Sequence, residues 1–338
     1  MIIKTGILGY GLSGSTFHGP FLKENPKYKV TKILSSREND IKKDFPNVGV
    51  VSSVESVFQD PEIDLVVITT PNTTHFPYAK AALIAGKNVI VEKPFTPTLK
   101  EADELVALSK KKNLTLSVYQ NRRWDGDYLT IKKILEEGLL GDIYQFESHM
   151  DRFRPTARDR WREKALPGSG ILYDLGSHLL DQAFNLFGDP QWIWGDVINQ
   201  KPDALTDDYF HIIMSYGDMR VLLHSSTFVK GKTIRYALHG TKGSFVKYGV
   251  DPQEERLREG QEPSEKLGKD EEEAYGILSM EDSIQRIPTI PGDYRIYFDS
   301  LADSIINKTK NPVSAESGAK VIKGLELIKT KPLQRHNW

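Results

Sequence analysis

The sequence predicts an α/β chain in two parts. Residues 1–120 form a doubly wound parallel sheet, and residues 121–338 an α/β domain on a large open, mainly antiparallel sheet. Three observations carry this prediction. A glycine-rich turn, GYGLSG, follows a short apolar run at the N-terminus; apolar runs then alternate with helix-period segments up to residue 120; beyond residue 129 the runs lengthen and alternate polar with apolar positions.

Taken in order, residues 2–8 (IIKTGIL) read as the first strand, and the stretch from the glycine turn to Glu24 as the first helix. Strands follow at 28–35, 63–70, 87–93 and 114–120, with helices at 73–85 and 98–112. A continuous apolar run such as IDLVVITT belongs in a parallel sheet covered on both faces. After an amphipathic helix at 127–137, the segments 142–153, 192–200, 207–216, 219–229 and 233–248 alternate as strands with one covered face. The acidic stretch 251–275, with its proline and glycines, reads as an exposed loop or short-helix excursion, and helices near 294–308 and 315–329 follow.

Bulk properties narrow the function. The 338 residues suffice for two cores, and the net charge of −1 is spread without a basic stripe. Nothing here would gather nucleic acid or an anionic membrane surface, so small molecules are the expected partners. The chain has no cysteine, which excludes disulfides, thiolate metal sites and thiol nucleophiles and suits a reducing compartment. With no apolar leader and no run of about eighteen apolar residues, a cytoplasmic protein is expected. No HExxH or comparable ligand cluster points to a metal.

GYGLSG fits G-x-G-x-x-G at Gly9, Gly11 and Gly14. Between a strand and a helix, these glycines serve a tight turn, close approach of a pyrophosphate and helix–strand packing respectively, with Leu12 and Ser13 in the cradle. The bland alternative is a glycine turn used only for packing. About 20 residues further on, an NAD site places an acid for the ribose 2′-hydroxyl. Here stand Ser35, Ser36 and Arg37, whose hydroxyls and guanidinium suit a 2′-phosphate and so NADP(H); the neighbouring Glu38 opposes that reading, and Arg37 could simply begin a solvated helix. Loops at the carboxyl ends of parallel strands surround the ligand crevice, which places Thr70, Pro71, Asn72 and His75 in TTPNTTHF for dinucleotide contact or loop support. Glu92 and Lys93 occupy the same edge, where Pro94 must turn the chain and the X–Pro bond can be cis.

In DLGSHLLD, Asp174 and His178 stand four residues apart, beside a stripe of Leu172, Leu175, Leu179, Ala183 and Leu186. This is either a solvated i,i+4 contact or a general base with its carboxylate partner.

Together, GYGLSG, EKP, NRRW at the domain junction and Asp174-x-x-x-His178 resemble the Gfo/Idh/MocA oxidoreductase family over nearly the whole chain. The longer stretches GYGLSGSTFHGPFL, YQNRRWDGDYLTIKK and DRFRP…WRE…LYDLGSH resemble its branch of NADP-dependent scyllo-inositol 2-dehydrogenases. The resemblance implies a Rossmann domain, a second α/β domain whose open sheet often makes a homo-oligomer interface, and oxidation of a cyclic polyol or sugar. It implies that Lys93 polarises the substrate oxygen, Asp174 binds substrate and orients the base, and His178 takes the hydroxyl proton. An imidazole, with its pKa of about 6.5, suits that work. One of Arg122 and Arg123, with Arg123 favoured, reaches the cofactor or substrate, while the other forms a junction ion pair. Tyr119, Asn121, Trp124, Arg152, Arg154, Arg158, Trp161 and Tyr173 are candidates for a polyol pocket, at least half of them structural. His18 is a packing residue or a pocket donor; His149, His211, His224 and His239 read as structural. Other activities of the same architecture, or a non-catalytic NADP sensor, remain open alternatives.

Overall fold

The first sheet is made of apolar runs that water cannot reach. In the computed structural model, which describes residues 1–157 and 163–338, six parallel strands form it: β1 (Ile3–Leu8), β2 (Tyr28–Leu34), β3 (Gly49–Val51), β4 (Leu65–Ile68), β5 (Asn88–Val91) and β6 (Leu116–Val118). Their spatial order is β3-β2-β1-β4-β5-β6. All four residues of β4 are fully buried, as expected where helices cover both faces. β3 is a three-residue edge strand that the hydropathy pattern does not announce, since all three of its residues keep solvent contact. The order reverses beside β1, whose Leu8 lies level with Leu34 of β2 and Ile68 of β4, so the crevice outside these carboxyl ends is where an open parallel sheet takes a ligand.

Local chemistry starts and stops the helices. Leu99–Lys112 opens on a capping box, with Glu101 N–H donating to Thr98 Oγ1 at 3.3 Å and Thr98 N–H to Glu101 Oε2 at 3.1 Å. It ends at Asn113, in the left-handed region at φ 54°.

The division of the chain is discontinuous. One compact unit comprises Met1–Asn121 with Gln253–Leu267 and Asp293–Ile322; the other comprises Arg122–Pro252, Gly268–Gly292 and Lys323–Trp338. The single division expected after residue 120 therefore omits two returns to the first unit. Packing explains the second return: Phe298 stacks on Phe21 at 5.2 Å, and Tyr297 donates to Ser117 Oγ at 2.9 Å.

The second unit holds a nine-stranded sheet made of β7 (Ile143–His149), β8 (Trp192–Ile198), β9 (Tyr209–Tyr216), β10 (Met219–Ser226), β11 (Ile234–Gly240), β12 (Gly243–Tyr248), β13 (Gly276–Met280), β14 (Ile284–Ile287) and β15 (Arg335–Asn337). Its order is β14-β13-β12-β11-β7-β10-β9-β8-β15, and every pairing is antiparallel except β7 with β10. The 233–248 run is two strands turning at Thr241 and Lys242, and β13, β14 and β15 are additional. Alternate residues such as Phe146, Phe210, Ile212, Met214, Val221 and Leu223 face the core. A Cβ on Gly176 would meet Phe210 on one side and Leu325 on the other at 3.5 Å, so the 172–187 helical segment lies between sheet and C-terminal helix. The 251–275 stretch is less exposed than its composition suggests: Asp251, Gln253, Leu257, Leu267 and Asp270 are buried, and the Gly126 N–H donates to Asp251 Oδ2 at 2.6 Å.

Candidate active site

The glycine turn is built for a close-approaching ligand. Gly9 has φ +97°, a conformation that side chains resist, and a Cβ on Gly14 would lie 2.3 Å from the Gly9 carbonyl oxygen. Around Gly11 a Cβ would meet nothing within 4 Å. Two glycines are thus demanded by the protein's own backbone, while the third leaves room. Tyr10 anchors the turn, its hydroxyl donating to Asp44 Oδ2 at 2.6 Å; burial first, and this carboxylate second, push its phenol pKa up. Leu12 is exposed, and Ser13 begins a π-helical segment, Ser13–His18. At the end of β2, Ser35 is half-buried while Ser36 and Arg37 are exposed; Arg37 precedes the Glu38–Asp44 helix and donates its N–H to Ser35 Oγ at 3.2 Å.

The loops after β4 and β5 are tied by His75. This imidazole is 1 % exposed, with Nδ1 2.8 Å from Pro94 O and Nε2 3.0 Å from Thr70 O. One ring nitrogen donates to a main-chain carbonyl and the other lies against a second, so His75 ties the two loops together. Burial pushes its pKa down. Thr70 and Thr74 hydroxyls meet at 2.6 Å, Pro71 is exposed and Asn72 buried. The Lys93–Pro94 peptide is cis, and Lys93 is half-buried.

Glu92 is turned toward the protein. Its Oε1 accepts from Ser13 Oγ and lies 2.9 Å from His18 Nε2, while Oε2 accepts from Lys93 N–H at 3.0 Å. Burial would raise this carboxyl, but the His18 hydrogen bond and charge, the Ser13 hydroxyl and the Lys93 charge outweigh it and hold the pKa at about 2. The reading of Glu92 and Ser13 as cofactor contacts did not anticipate this cluster. The available signal was a histidine five residues beyond Ser13.

In the second unit Asp174 lies within another π-helical segment, Leu172–Gly176, which runs into the helix Ser177–Phe187. The wider turn rotates the residues before it relative to those after it, and of the two alternatives the solvated one does not describe His178. Asp174 keeps 24 % of its side chain exposed, with Arg152 Nη1 3.9 Å away; His178 is only 4 % exposed and lies among the buried residues. Of the apolar stripe, Leu172, Leu175, Leu179 and Ala183 are buried and Leu186 is half-buried. Both π-helical segments coincide with candidate functional residues, where such turns concentrate.

Both arginines of NRRW form ion pairs. Arg122 Nη1 donates to Asp125 at 3.1 Å, and Arg123 closes a fork on Asp181, Nε at 2.7 Å and Nη2 at 2.6 Å. The fork expected to reach cofactor or substrate is therefore committed within its own unit, through an aspartate that spacing did not single out. Tyr119 is buried, its hydroxyl donating to Phe17 O at 2.9 Å; Asn121 and Tyr173 are buried, and Trp124 and Arg154 half-buried. Arg158 and Trp161 lie outside the described residues. His149, His224 and His211 form a cross-strand row with ring centroids 5.3 and 5.6 Å apart, and His239 meets Ser244 Oγ at 2.8 Å.

Residues 3–120 match the model of the oxidoreductase family's NAD-binding Rossmann fold, and residues 132–336 that of the same family's C-terminal alpha/beta domain. The chain belongs to the Gfo/Idh/MocA oxidoreductase family. Among its relatives, the uncharacterized oxidoreductase YdgJ of Escherichia coli K12 is 48% identical, over 96% of this chain and 95% of its own. The scyllo-inositol 2-dehydrogenase (NADP(+)) IolW of Bacillus subtilis 168 is 44% identical, over 96% and 92%. The solved yvaA structure from Bacillus subtilis superposes with a TM-score of 0.95 at 42% identity, covering 99% of this chain and 98% of that one. In this Gfo/Idh/MocA member, among the described residues, no helix is long and apolar enough to cross a membrane.

Proposed function

We propose that this protein is an NADP(H)-dependent oxidoreductase interconverting a secondary alcohol and ketone of a cyclic polyol, with scyllo-inositol and its 2-keto form as the pair. The observation that carries the reaction class is a buried imidazole, His178, one turn beyond the half-exposed carboxylate of Asp174, in a chain that also holds a glycine cradle with open space at Gly11. The likeness to IolW supports the substrate, and the acid-free sequence Ser35-Ser36-Arg37 at the end of β2 supports the phosphorylated cofactor.

The cradle residues fit a dinucleotide: Gly11 admits a pyrophosphate, and a hydroxyl and a guanidinium stand ready for a 2′-phosphate. When bound, the nicotinamide accepts or supplies the hydride at its C4 position. His178 takes the hydroxyl proton as the alcohol is oxidised and returns it in the reverse direction. The Lys93 ammonium stabilises the charge that develops on the substrate oxygen. Asp174 binds the substrate and orients the base. The half-exposed face of the nine-stranded sheet is proposed to meet a second copy of the chain.

The initial rate of nicotinamide reduction with scyllo-inositol tests this reading, with NADP and NAD compared at equal concentration and myo-inositol and glucose as controls. Turnover with NADP well above NAD is expected. An NAD preference removes the cofactor assignment, and inactivity on every polyol removes the substrate. His178→Ala should lower kcat on the order of 10²–10⁴-fold with NADPH binding nearly intact; equal losses of both would refute its role.

A further inference from the structure

We propose that His18 is a positioning residue: by donating from Nε2 to Glu92 it keeps in place a carboxylate that joins the glycine turn, through Ser13, to the main chain of Lys93.

The geometry leaves the imidazole little else to do. His18 is fully buried, its ring 4.1 Å from that of Tyr119 and edge-on to Phe298 at 5.9 Å, so packing fixes the direction of Nε2. Among the described residues Nδ1 has no hydrogen-bond partner, and the polar function of the ring is its 2.9 Å contact with Glu92. A buried polar pair is costly to assemble, and here it replaces what could be an apolar contact. Its product is mechanical. Ser13 lies in the turn, Lys93 N–H is held at 3.0 Å on the other oxygen, and the carboxylate joins the two segments. Without the His18 donor, burial opposes ionisation of Glu92, and a protonated carboxyl gives up one of its acceptor positions. The other titratable groups that act on this carboxyl are the Lys93 ammonium and His75.

The consequence for turnover rests on the dinucleotide reading above, but the charge of Glu92 can be read without ligand. His18→Phe keeps an aromatic ring against Tyr119 and Phe298 and removes the donor; His18→Gln restores a donor. Infrared spectra of the ligand-free protein between pH 5 and 8 should show no protonated-carboxyl band from Glu92 in the parent. They should show a titrating band in His18→Phe that disappears in His18→Phe/Glu92→Gln and is weakened in His18→Gln. With NADPH and substrate, kcat of His18→Phe should fall on the order of 10- to 100-fold, as for a small misplacement of a reacting group, with KM changed less and His18→Gln recovering most of the loss. A carboxylate ionised throughout in His18→Phe, or a kcat within about twofold of the parent, overturns the proposal. If His18→Phe does not fold, His18→Leu, which also removes the donor and keeps an apolar side chain against Tyr119 and Phe298, is read by the same band. Absence of polyol activity in the parent would fail the functional reading alone, and the infrared result would still decide this one.

Discussion

Gly11 and Gly14 differ in what surrounds them, and the difference separates ligand binding from packing. A methyl group at Gly14 would be forced into the Gly9 carbonyl oxygen at 2.3 Å, a backbone atom that cannot swing away. Overpacking of this kind costs about 1–3 kcal/mol, and each kcal/mol lowers Tm by about 2–4 °C in a domain of 150–250 residues. At Gly11 the same methyl meets no protein atom within 4 Å. Thermal unfolding should therefore show a lowered Tm for Gly14→Ala and an unchanged one for Gly11→Ala, while fluorescence titration shows Gly11→Ala binding NADPH on the order of tenfold more weakly. Unchanged NADPH binding in Gly11→Ala would leave the glycine turn a packing device. The three glycines were legible in sequence because a fixed spacing between a strand and a helix marks them, two for the backbone's own geometry and one for open space. The Ser13–Glu92–His18 cluster was not, because its partners are 79 and 74 residues apart in sequence and meet only when β5 lies near β1.

At the scale of elements, the helix carrying His178 is held by a buried polar network. Arg235, 1 % exposed, places Nε 3.2 Å from Asp127 Oδ2 and donates to Ser148 Oγ at 2.7 Å, Tyr236 Oη at 2.7 Å and Gln182 Oε1 at 3.1 Å. Gln182 follows His178 by one turn and donates in turn to Arg122 O at 2.8 Å. The network thus joins the 126–136 helix, β7, β11 and the 177–187 helix. Asp127→Ala would leave a buried guanidinium without its counter-charge, and denaturant unfolding should show a loss of about 3–5 kcal/mol. A loss below about 1 kcal/mol would mean that the ion pair contributes little to holding these elements. The 3.6-residue period located the helix and four buried members of its stripe. It missed the π-helical turn at Leu172–Gly176, since one added residue per turn leaves no mark in hydropathy, and so it left open whether His178 is solvated or buried.

For the whole molecule, the nine-stranded sheet raises the question of its second face. Trp192, Trp194, Ile213 and Leu222 are half-buried on the side opposite Ile193, Met214 and Val221, as strand alternation requires. Apolar groups of this size on one open face fit the proposed contact with a second copy. Sedimentation velocity should give a dimer or tetramer, and Leu222→Glu should shift it toward monomer with an unchanged near-ultraviolet circular dichroism spectrum. A monomeric parent protein at micromolar concentration would remove the proposal.

What the sequence by itself determined follows from local rules: the parallel sheet from continuous apolar runs, the second sheet from two-residue alternation, the cradle from glycine spacing, and the family from motifs in fixed order along the chain. Tertiary structure alone decided what depends on residues far apart in sequence. It returned 253–267 and 293–322 to the first unit, closed the Arg123 fork on Asp181, turned His75 onto two carbonyls and set Glu92 against His18. The physical reason is that a buried apolar face must be covered and a buried polar group must find a partner, and which partner each finds depends on which strands and helices pack beside it.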